Sequence, residues 1–199
     1  MEERIAYSIC NKLAEKNVIK NDYFDVYKYG LELIVSTIIS IFIVISVGII
    51  LKQIDVTLIF LAVFIGLRRF TGGYHASTYI KCKICMITVY LIYLVLTNFT
   101  NISTIAVICQ FCVGIVLITL LCPIENDNKP LKTNVKKKSK ITSLILFTTL
   151  SALCIVLSLF MMRLSNAVFY SESCVIALII LSIIHRRFKD GKVYSKDNS

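Results

Sequence analysis

Residues 68–85 contain most of the side chains in this chain that could do chemistry. The segment reads Arg-Arg-Phe-Thr-Gly-Gly-Tyr-His-Ala-Ser-Thr-Tyr-Ile-Lys-Cys-Lys-Ile-Cys, and it places His75, one of only two histidines, seven residues before Cys82. An ordinary thiol, with a pKa of about 8.5, is only a few per cent ionised at pH 7, so a nucleophilic cysteine needs a base. The two residue types together therefore indicate nucleophilic catalysis by a thiol.

The spacing of His75 and Cys82 constrains the backbone between them. On a continuous helix the two residues would share one face but lie about 10 Å apart along the axis. A hydrogen-bonded pair needs a separation of about 3 Å. We therefore expect the segment to fold back, and Gly72 and Gly73 give the backbone the freedom to do so. Their N–H groups, or that of Cys82, are candidates for an oxyanion hole.

Cations border this pair on both sides, and they would favour the thiolate if they lie close to the sulfur. These cations are Arg68, Arg69, Lys81 and Lys83. No carboxylate occurs between Arg68 and Cys85. A third residue that orients the histidine would have to come from another loop, with Glu125 or Asp127 nearest in the expected topology, or the site is a dyad.

The same residues also have a simpler interpretation. His75 could anchor a helix end, Cys82 could be one thiol among eight, and the cations could mark only the inner membrane face. Cys85 competes with Cys82 as the nucleophile, and only its greater distance from His75 in sequence argues against it.

We expect His185, at the end of the last apolar run, to be a helix-end anchor.

The eight cysteines could instead indicate a disulfide framework or a metal site. Four of them lie within apolar runs, where a thiol behaves as a small hydrophobic group: Cys109, Cys112, Cys154 and Cys174. Disulfide frameworks use extramembrane loops. The spacing Cys82-x-x-Cys85 followed by Cys109-x-x-Cys112 resembles a zinc ribbon, but a membrane-length apolar stretch separates the two pairs. We expect no metal and no other cofactor.

The composition excludes an ordinary soluble domain, since 57% of the 199 residues are apolar and they are gathered into long uncharged runs. A bilayer core of about 30 Å needs about 20 helical residues. Four runs approach that length: 33–51, 102–122, 141–162 and 167–184. Two shorter runs, 56–67 and 84–97, would reach about 20 Å and need snorkelling or local thinning. We predict an all-α polytopic membrane protein with about six transmembrane helices, two of them short.

Basic residues predict the orientation. Twenty of the 22 Lys and Arg residues lie in segments 1–30, 68–83, 123–140 and 185–199, and two lie in the alternate connections. This asymmetry predicts cytoplasmic termini and explains the net charge of +10 without nucleic acid.

The N-terminal segment has no secretory signal pattern, so we expect it to be retained. It places Ile5, Ile9 and Leu13 four residues apart, which predicts an amphipathic helix at the membrane interface. The alternative is a helix packed on the loops.

We divide the chain into three parts on this basis. Residues 1–30 form a cytoplasmic amphipathic segment, 31–185 a single membrane domain with cytoplasmic loops 68–83 and 123–140, and 186–199 a cytoplasmic tail.

The segment at 68–82 resembles the signature of the AgrB family, the membrane peptidases of Gram-positive quorum sensing. That signature has two arginines, then Gly-Gly-x-His, then a cysteine seven residues after the histidine. The matching residues are Arg68, Arg69, Gly72, Gly73, His75 and Cys82. The six-span layout and a basic, proline-containing loop after the fourth span extend the similarity along the chain. The resemblance implies that His75 is the general base and favours Cys82 over Cys85 as the nucleophile.

The resemblance also implies a reaction and partners. An AgrD-like propeptide would be cleaved near its C-terminus through a thioester on Cys82, which a cysteine of the peptide could convert to a thiolactone. The family leads us to expect a homodimer in the cell membrane of a Gram-positive bacterium. Lysines could steer an acidic tail of the substrate, or they could be a topology signal alone: Lys129, Lys132, Lys136, Lys137, Lys138 and Lys140.

Other classes of function stay open from the residues alone. They are a non-catalytic membrane scaffold, a metal-binding protein, and a channel or peptide transporter. A transporter would carry ionisable residues near the middle of the membrane. Only Glu172 comes near that depth, and the apolar run places it toward the outer end of its span.

Overall fold

The computed structural model describes residues 2–15, 24–72, 79–124 and 133–196, with side chains described as far as residue 185. These residues form seven helices, and no β-strand occurs in the described ranges. The helices are α1 (Glu2–Glu15), α2 (Phe24–Ile50), α3 (Ile54–Thr71), α4 (Tyr79–Phe99), α5 (Thr104–Leu121), α6 (Thr133–Phe160) and α7 (Met162–Lys196). The predicted all-α class is confirmed.

Five helices are long and apolar enough to cross a membrane: α2, α4, α5, α6 and the Met162–His185 part of α7. The remaining long helix, α3, has 18 residues and carries Asp55 in its first turn and Arg68 and Arg69 in its last. The predicted short run 56–67 forms its centre. The predicted polytopic membrane architecture is therefore confirmed by these five helices.

Three connections meet at one end of the bundle, which we call the far end. Arg163 at the start of α7 pairs with Asp55 at the start of α3, with Nη1 3.3 Å from Oδ2. Asn166 of α7 donates from Nδ2 to the carbonyl of Thr100, just after α4, over 2.8 Å. The connections α2–α3, α4–α5 and α6–α7 therefore lie together, as expected for helices that alternate in direction along the chain.

The opposite end, which we call the site end, contains the end of α3 and the end of α5, where Gly72 pairs with Ile124. The start of α4 also lies here, because α4 ends at the far end. The same alternation places the start of α2 at this end. The chain thus brings the segment with the candidate residues to one end of the bundle.

Helix α7 lies at the centre of the bundle. Of the residues in its membrane-length window, 56% are buried, compared with 17–22% in the windows of α2, α4, α5 and α6. Helix α3 is also largely buried and packs on α7. The outer helices expose large apolar side chains, as expected for a surface that faces lipid.

An aromatic cluster joins α3 to α4 inside the bundle. The ring of Phe60 lies 4.7 Å from that of Tyr93 and 5.3 Å from that of Tyr90, measured between centroids. The Tyr93 hydroxyl donates to the Val56 carbonyl over 2.7 Å, and the Tyr90 and Thr57 hydroxyls are 2.7 Å apart. Because both phenols have partners, the rings can be buried without leaving polar atoms unsatisfied.

Helix α1 forms as predicted, but its buried face differs from the predicted apolar stripe. Ala6 and Cys10 are fully buried, whereas Ile5 and Ile9 are 40% and 37% exposed. The ring of Tyr7 packs edge-on against that of Phe24, so α1 lies against the start of α2. The helix therefore packs on the protein and still presents apolar side chains outward, and its interfacial position stays a prediction.

Several helices continue beyond the predicted apolar runs, because those runs mark only the membrane interior. The predicted division of the chain into three parts stays a prediction. Helix α3 continues to Thr71, α4 begins at Tyr79 and α6 begins at Thr133, so the predicted loops 68–83 and 123–140 are partly helical. Helix α4 has 21 residues and is not a short span. Helix α7 continues through the predicted boundary at 185.

Gly114 of α5 gives a test of the helix packing. A Cβ at this position would lie 2.2 Å from Cζ of the buried Phe147 on α6. We expect Gly114→Ala to force the two helices apart and to lower the free energy of unfolding by about 1–3 kcal/mol. Thermal unfolding in detergent measures the loss. Gly30→Ala is the matched control, because a Cβ there meets nothing within 4 Å; equal losses in both variants would contradict the packing.

Candidate functional site

Helix α3 ends at a close backbone contact that we call the joint, formed by Thr71, Gly72 and Ile124. Gly72 has φ of 73° and ψ of −149°, and its N–H donates to the Arg68 carbonyl over 3.0 Å. The Ile124 N–H donates to the Thr71 carbonyl over 2.9 Å. A Cβ on residue 72 would lie 2.4 Å from the Ile124 carbonyl oxygen. Both the left-handed φ and this close approach therefore require glycine.

The joint bears on two expectations about this segment. The Gly72 N–H donates to the Arg68 carbonyl in this structure, and its role as an oxyanion donor stays a prediction. A helix that ran on from α3 through Cys82 is excluded, because α3 ends at Thr71 and α4 begins at Tyr79. The joint also fixes the start of the α3–α4 connection next to the start of the α5–α6 connection.

Several predicted site residues belong to those two connections. His75 and Gly73 lie in residues 73–78, and Glu125, Asp127, Lys129 and Lys132 lie in residues 125–132. Both segments fall outside the described residues. The proposed pairing of His75 with Cys82, and the choice between a dyad and a triad, stay predictions.

Cys82 lies on the first turn of α4, at the site end, and is half-buried. Its neighbours Lys81 and Lys83 are exposed and half-buried, respectively. The positive end of the α4 dipole and these lysines favour negative charge around this turn. A group that becomes anionic during a reaction would be stabilised there.

Cys85 lies one turn deeper on α4 and has a different environment. It packs against the main hydrophobic cluster of the bundle, to which Cys82 does not belong. Arg68 of α3 lies close enough for its charge to act on the Cys85 thiol, and its guanidinium also stacks over the Phe64 ring at 5.4 Å. Arg69 is exposed and lies over the Phe70 ring. The two arginines are therefore positioned by aromatic rings at the end of α3.

The other cysteines are separated from this turn. Four are buried, namely Cys10, Cys122, Cys154 and Cys174, while Cys109 and Cys112 are exposed on α5. Because α5 starts at the far end, these last two cannot meet Cys82 and Cys85 at the site end. No group of three or more His, Cys, Asp or Glu able to hold a metal occurs among the described residues.

The lysine run predicted as a loop forms the first turns of α6. Lys136, Lys137 and Lys138 are exposed, and Lys140 is half-buried. Lys140 lies close enough to Cys122 for its charge to act on that thiol. Since Cys122 lies two residues before Ile124 of the joint, the basic face of α6 borders the site end.

Sequence reasoning missed two features. The partner of Gly72 is 52 residues away, and no local pattern identifies Ile124 as that partner. The second is the environment of Glu172, which is fully buried and hydrogen-bonded to side chains of α5 and α6. A single carboxylate within an apolar run was the sequence pattern that could have indicated it.

The joint can be tested with two glycines of α3. We expect Gly72→Ala to break the Thr71–Ile124 hydrogen bond, because this positive-φ conformation costs other residues about 1–3 kcal/mol and the new Cβ overlaps the Ile124 carbonyl. The Ile124 amide should then exchange its hydrogen at least about tenfold faster. Gly66→Ala is the control, since its Cβ would make an ordinary contact at 3.6 Å with Leu146. Unchanged exchange in Gly72→Ala would contradict the joint.

Thiol alkylation tests the environment of Cys122. Burial raises the pKa of this thiol to about 11, against the opposing charge of Lys140. Only the thiolate reacts, so alkylation by iodoacetamide should be slow at about pH 7.5 and rise about tenfold per pH unit up to that value. Peptide mass spectrometry measures the modified fraction, with the same cysteine in the denatured protein as the reference. Rapid modification of Cys122 near neutral pH in the folded protein would contradict its burial.

Comparison with known proteins identifies the family. The sequence model described as Accessory gene regulator B matches residues 6–186. AgrB-like protein 2 of Clostridium perfringens strain 13 is 28% identical over 145 residues, which are 69% of this chain and 68% of that protein. An AgrB-like protein of Clostridium perfringens strain SM101 is 27% identical over 145 residues, with the same coverage. No solved structure gave a significant match.

The family match covers most of the chain and agrees with its multi-pass helical structure. AgrB proteins act with the AgrD propeptide in the agr quorum-sensing system and are linked to peptide processing there. This chain belongs to the accessory gene regulator B family and has a role in agr-type quorum sensing.

Proposed function

We propose that this protein is a membrane-embedded cysteine endopeptidase that processes an AgrD-like propeptide, with Cys82 as the nucleophile and His75 as the general base. The position of Cys82 is the observation that carries the proposal. Of the eight thiols, it is the one that is half-buried on the first turn of a helix at the site end and outside the hydrophobic cluster. The match to Gly-Gly-x-His and the spacing to His75 support the same assignment.

In the first step, His75 accepts the proton of the Cys82 thiol, and the sulfur attacks the carbonyl carbon of the scissile peptide bond. The carbonyl oxygen becomes negative, and the start of the α4 dipole with Lys81 and Lys83 supplies a positive environment for it. The two glycines before His75, and Cys82 itself, remain the candidate backbone donors. His75 then returns the proton to the leaving amine, the C–N bond breaks, and the C-terminal tail leaves. The remaining peptide is bound to Cys82 as a thioester.

In the second step, a cysteine of the bound peptide attacks this thioester. One carbon–sulfur bond forms as another breaks, and the proton of the attacking thiol passes to the Cys82 sulfur, so the free enzyme returns. The exchange of one thioester for another is nearly neutral in energy and needs no ATP.

Attack by water would give a linear acid instead, so a site that limits water favours the cyclic product. The neighbours Ile80 and Ile84 are apolar and exposed, which supports a position of this turn at the membrane boundary.

The position of the joint supports a third site residue, a carboxylate that orients the His75 imidazole. The joint fixes the start of the connection with His75 beside the start of the connection with Glu125 and Asp127. A carboxylate from the second connection would hold the imidazole in the tautomer that accepts the thiol proton. We propose Glu125 or Asp127 for this role.

The site end is proposed to face the cytoplasm, since the basic segments of the chain gather there. The exposed lysines at the start of α6 would attract an acidic tail of the substrate. The apolar residues that α1 presents outward would lie in the inner leaflet of the membrane. A homodimer stays a prediction from the family resemblance.

The test is processing of a co-expressed AgrD-like precursor, followed by mass spectrometry. We expect Cys82→Ala and His75→Ala to lower the cleavage rate by at least about a thousandfold, because loss of a nucleophile or its base removes the covalent route. Cys85→Ala is the matched control on the same helix and should retain most activity. Equal protein levels in the membrane fraction exclude loss of folding as the cause.

Two outcomes would contradict this assignment. Cleavage that persists in both variants would leave a scaffold or a peptide transporter as the function. Loss in Cys85→Ala together with activity in Cys82→Ala would move the nucleophile one turn deeper.

A further inference from the structure

Glu172 is a fully buried carboxylate that the proposed chemistry does not use. Its exposed fraction is 1%, and it lies ten residues after the start of α7. At the rise of an α-helix this is about 15 Å from the far end, close to half of a bilayer core. The residue therefore lies deeper than the sequence indicated, because α7 begins five residues before the predicted apolar run.

Side chains from three helices surround this carboxyl group. The Ser151 hydroxyl of α6 lies 3.2 Å from each of its two oxygens, and Nε2 of Gln110 on α5 donates to Oε2 over 3.1 Å. The same Nε2 is 3.2 Å from the Phe169 carbonyl oxygen, and the Ser173 hydroxyl donates to Oε1 of Gln110 over 2.6 Å. The cluster thus links α5, α6 and α7 through one carboxyl group.

These partners do not balance a negative charge. An ionised carboxylate offers about four acceptor positions, and Ser151 has a single proton to share between the two oxygens. No Lys, Arg or His lies within ion-pair distance of Glu172 in the part of the chain that the structure describes. An unpaired charge in this low-dielectric interior is strongly unfavourable, so the site requires a bound cation.

Among the described residues, the elements packed against α7 supply no other charge at this level. Helix α4 presents the Tyr93 phenol beside Ser171, and α6 presents the Cys154 thiol, which is bonded to Ser165. Helix α5 has no charged residue. The charged or titratable residues of α3, and those of α7 outside Glu172 and Cys174 whose side chains the structure describes, lie toward the helix ends or among aromatic residues: Asp55, Arg68, Arg69, Arg163, Tyr170 and His185.

The geometry favours a proton over a metal ion. A carboxylic acid O–H can donate to the Ser151 oxygen without any movement, whereas a sodium ion would need several oxygen ligands where the Gln110 amide now donates. We propose that Glu172 is a proton-binding site inside the membrane, and that the bound proton holds α5, α6 and α7 together through Ser151 and Gln110. Loss of this proton leaves an unpaired charge between the three helices and loosens their contacts.

A hydrophobic carbodiimide tests this directly on the full chain in detergent. Dicyclohexylcarbodiimide reacts with the protonated acid: the acid proton moves to a carbodiimide nitrogen, the carboxyl oxygen bonds to its carbon, and acyl transfer gives a stable N-acylurea. We expect peptide mass spectrometry to find this adduct on Glu172 at neutral pH, with less adduct as the pH rises. Cys82→Ala should label equally, which separates this site from the peptidase.

Two controls make the result decisive. Glu172→Gln removes the carboxyl group and should carry no adduct at this position. Sodium or lithium chloride at fixed pH should not protect Glu172. An unlabelled Glu172, or protection by either metal ion, would overturn the proton-binding site.

Thermal unfolding gives an independent measurement. As the pH rises above about 4.3, the ordinary pKa of a glutamate side chain, we expect the wild-type protein to lose stability, because the unfolded chain then releases a proton that the folded protein retains. Glu172→Gln keeps the size and the hydrogen-bonding capacity of the acid, and its unfolding temperature should depend much less on pH. Identical pH dependence in the two proteins would contradict the proposal.

Discussion

The contact between Gly72 and Ile124 is the constraint on which the candidate site depends. It ends α3, sets the direction in which the chain leaves this helix, and fixes the start of the α5–α6 connection beside it. The contact is possible because residue 72 has no Cβ. Any side chain here would push Ile124 away and separate the two connections that contain His75 and the candidate acids.

The remainder of the bundle holds this contact in place. Phe60 of α3 packs against Tyr90 and Tyr93 of α4, so the helix that ends at the joint is fixed to the helix that carries Cys82. Helix α7 supports both from the centre. At the far end, the Arg163–Asp55 pair and the Asn166–Thr100 hydrogen bond join the connections. Rigid attachment of this kind is what a catalytic pair needs, because small displacements of reacting groups cost large factors in rate.

Much of this organisation could be predicted from the sequence, and the exceptions have physical reasons. Apolar runs revealed the spans but not their ends, because charged residues such as Lys81 and Lys136 continue a helix beyond the apolar interior. The motif identified Gly72 and Cys82 as special positions. The reason why residue 72 is glycine depends on Ile124, a tertiary contact without a local signal. The environment of Glu172 was likewise hidden, since Gln110 and Ser151 reach it only when three helices pack.

The central claim is that Cys82 forms a covalent bond with the substrate, and the most direct measurement is the intact mass of the protein after brief incubation with an AgrD-like precursor. The account predicts an increase equal to the precursor without its C-terminal tail. Peptide mapping should place this adduct on Cys82, and neutral hydroxylamine should remove it because the bond is a thioester. Precursor cleavage with no adduct, or an adduct on Cys85, would contradict the account.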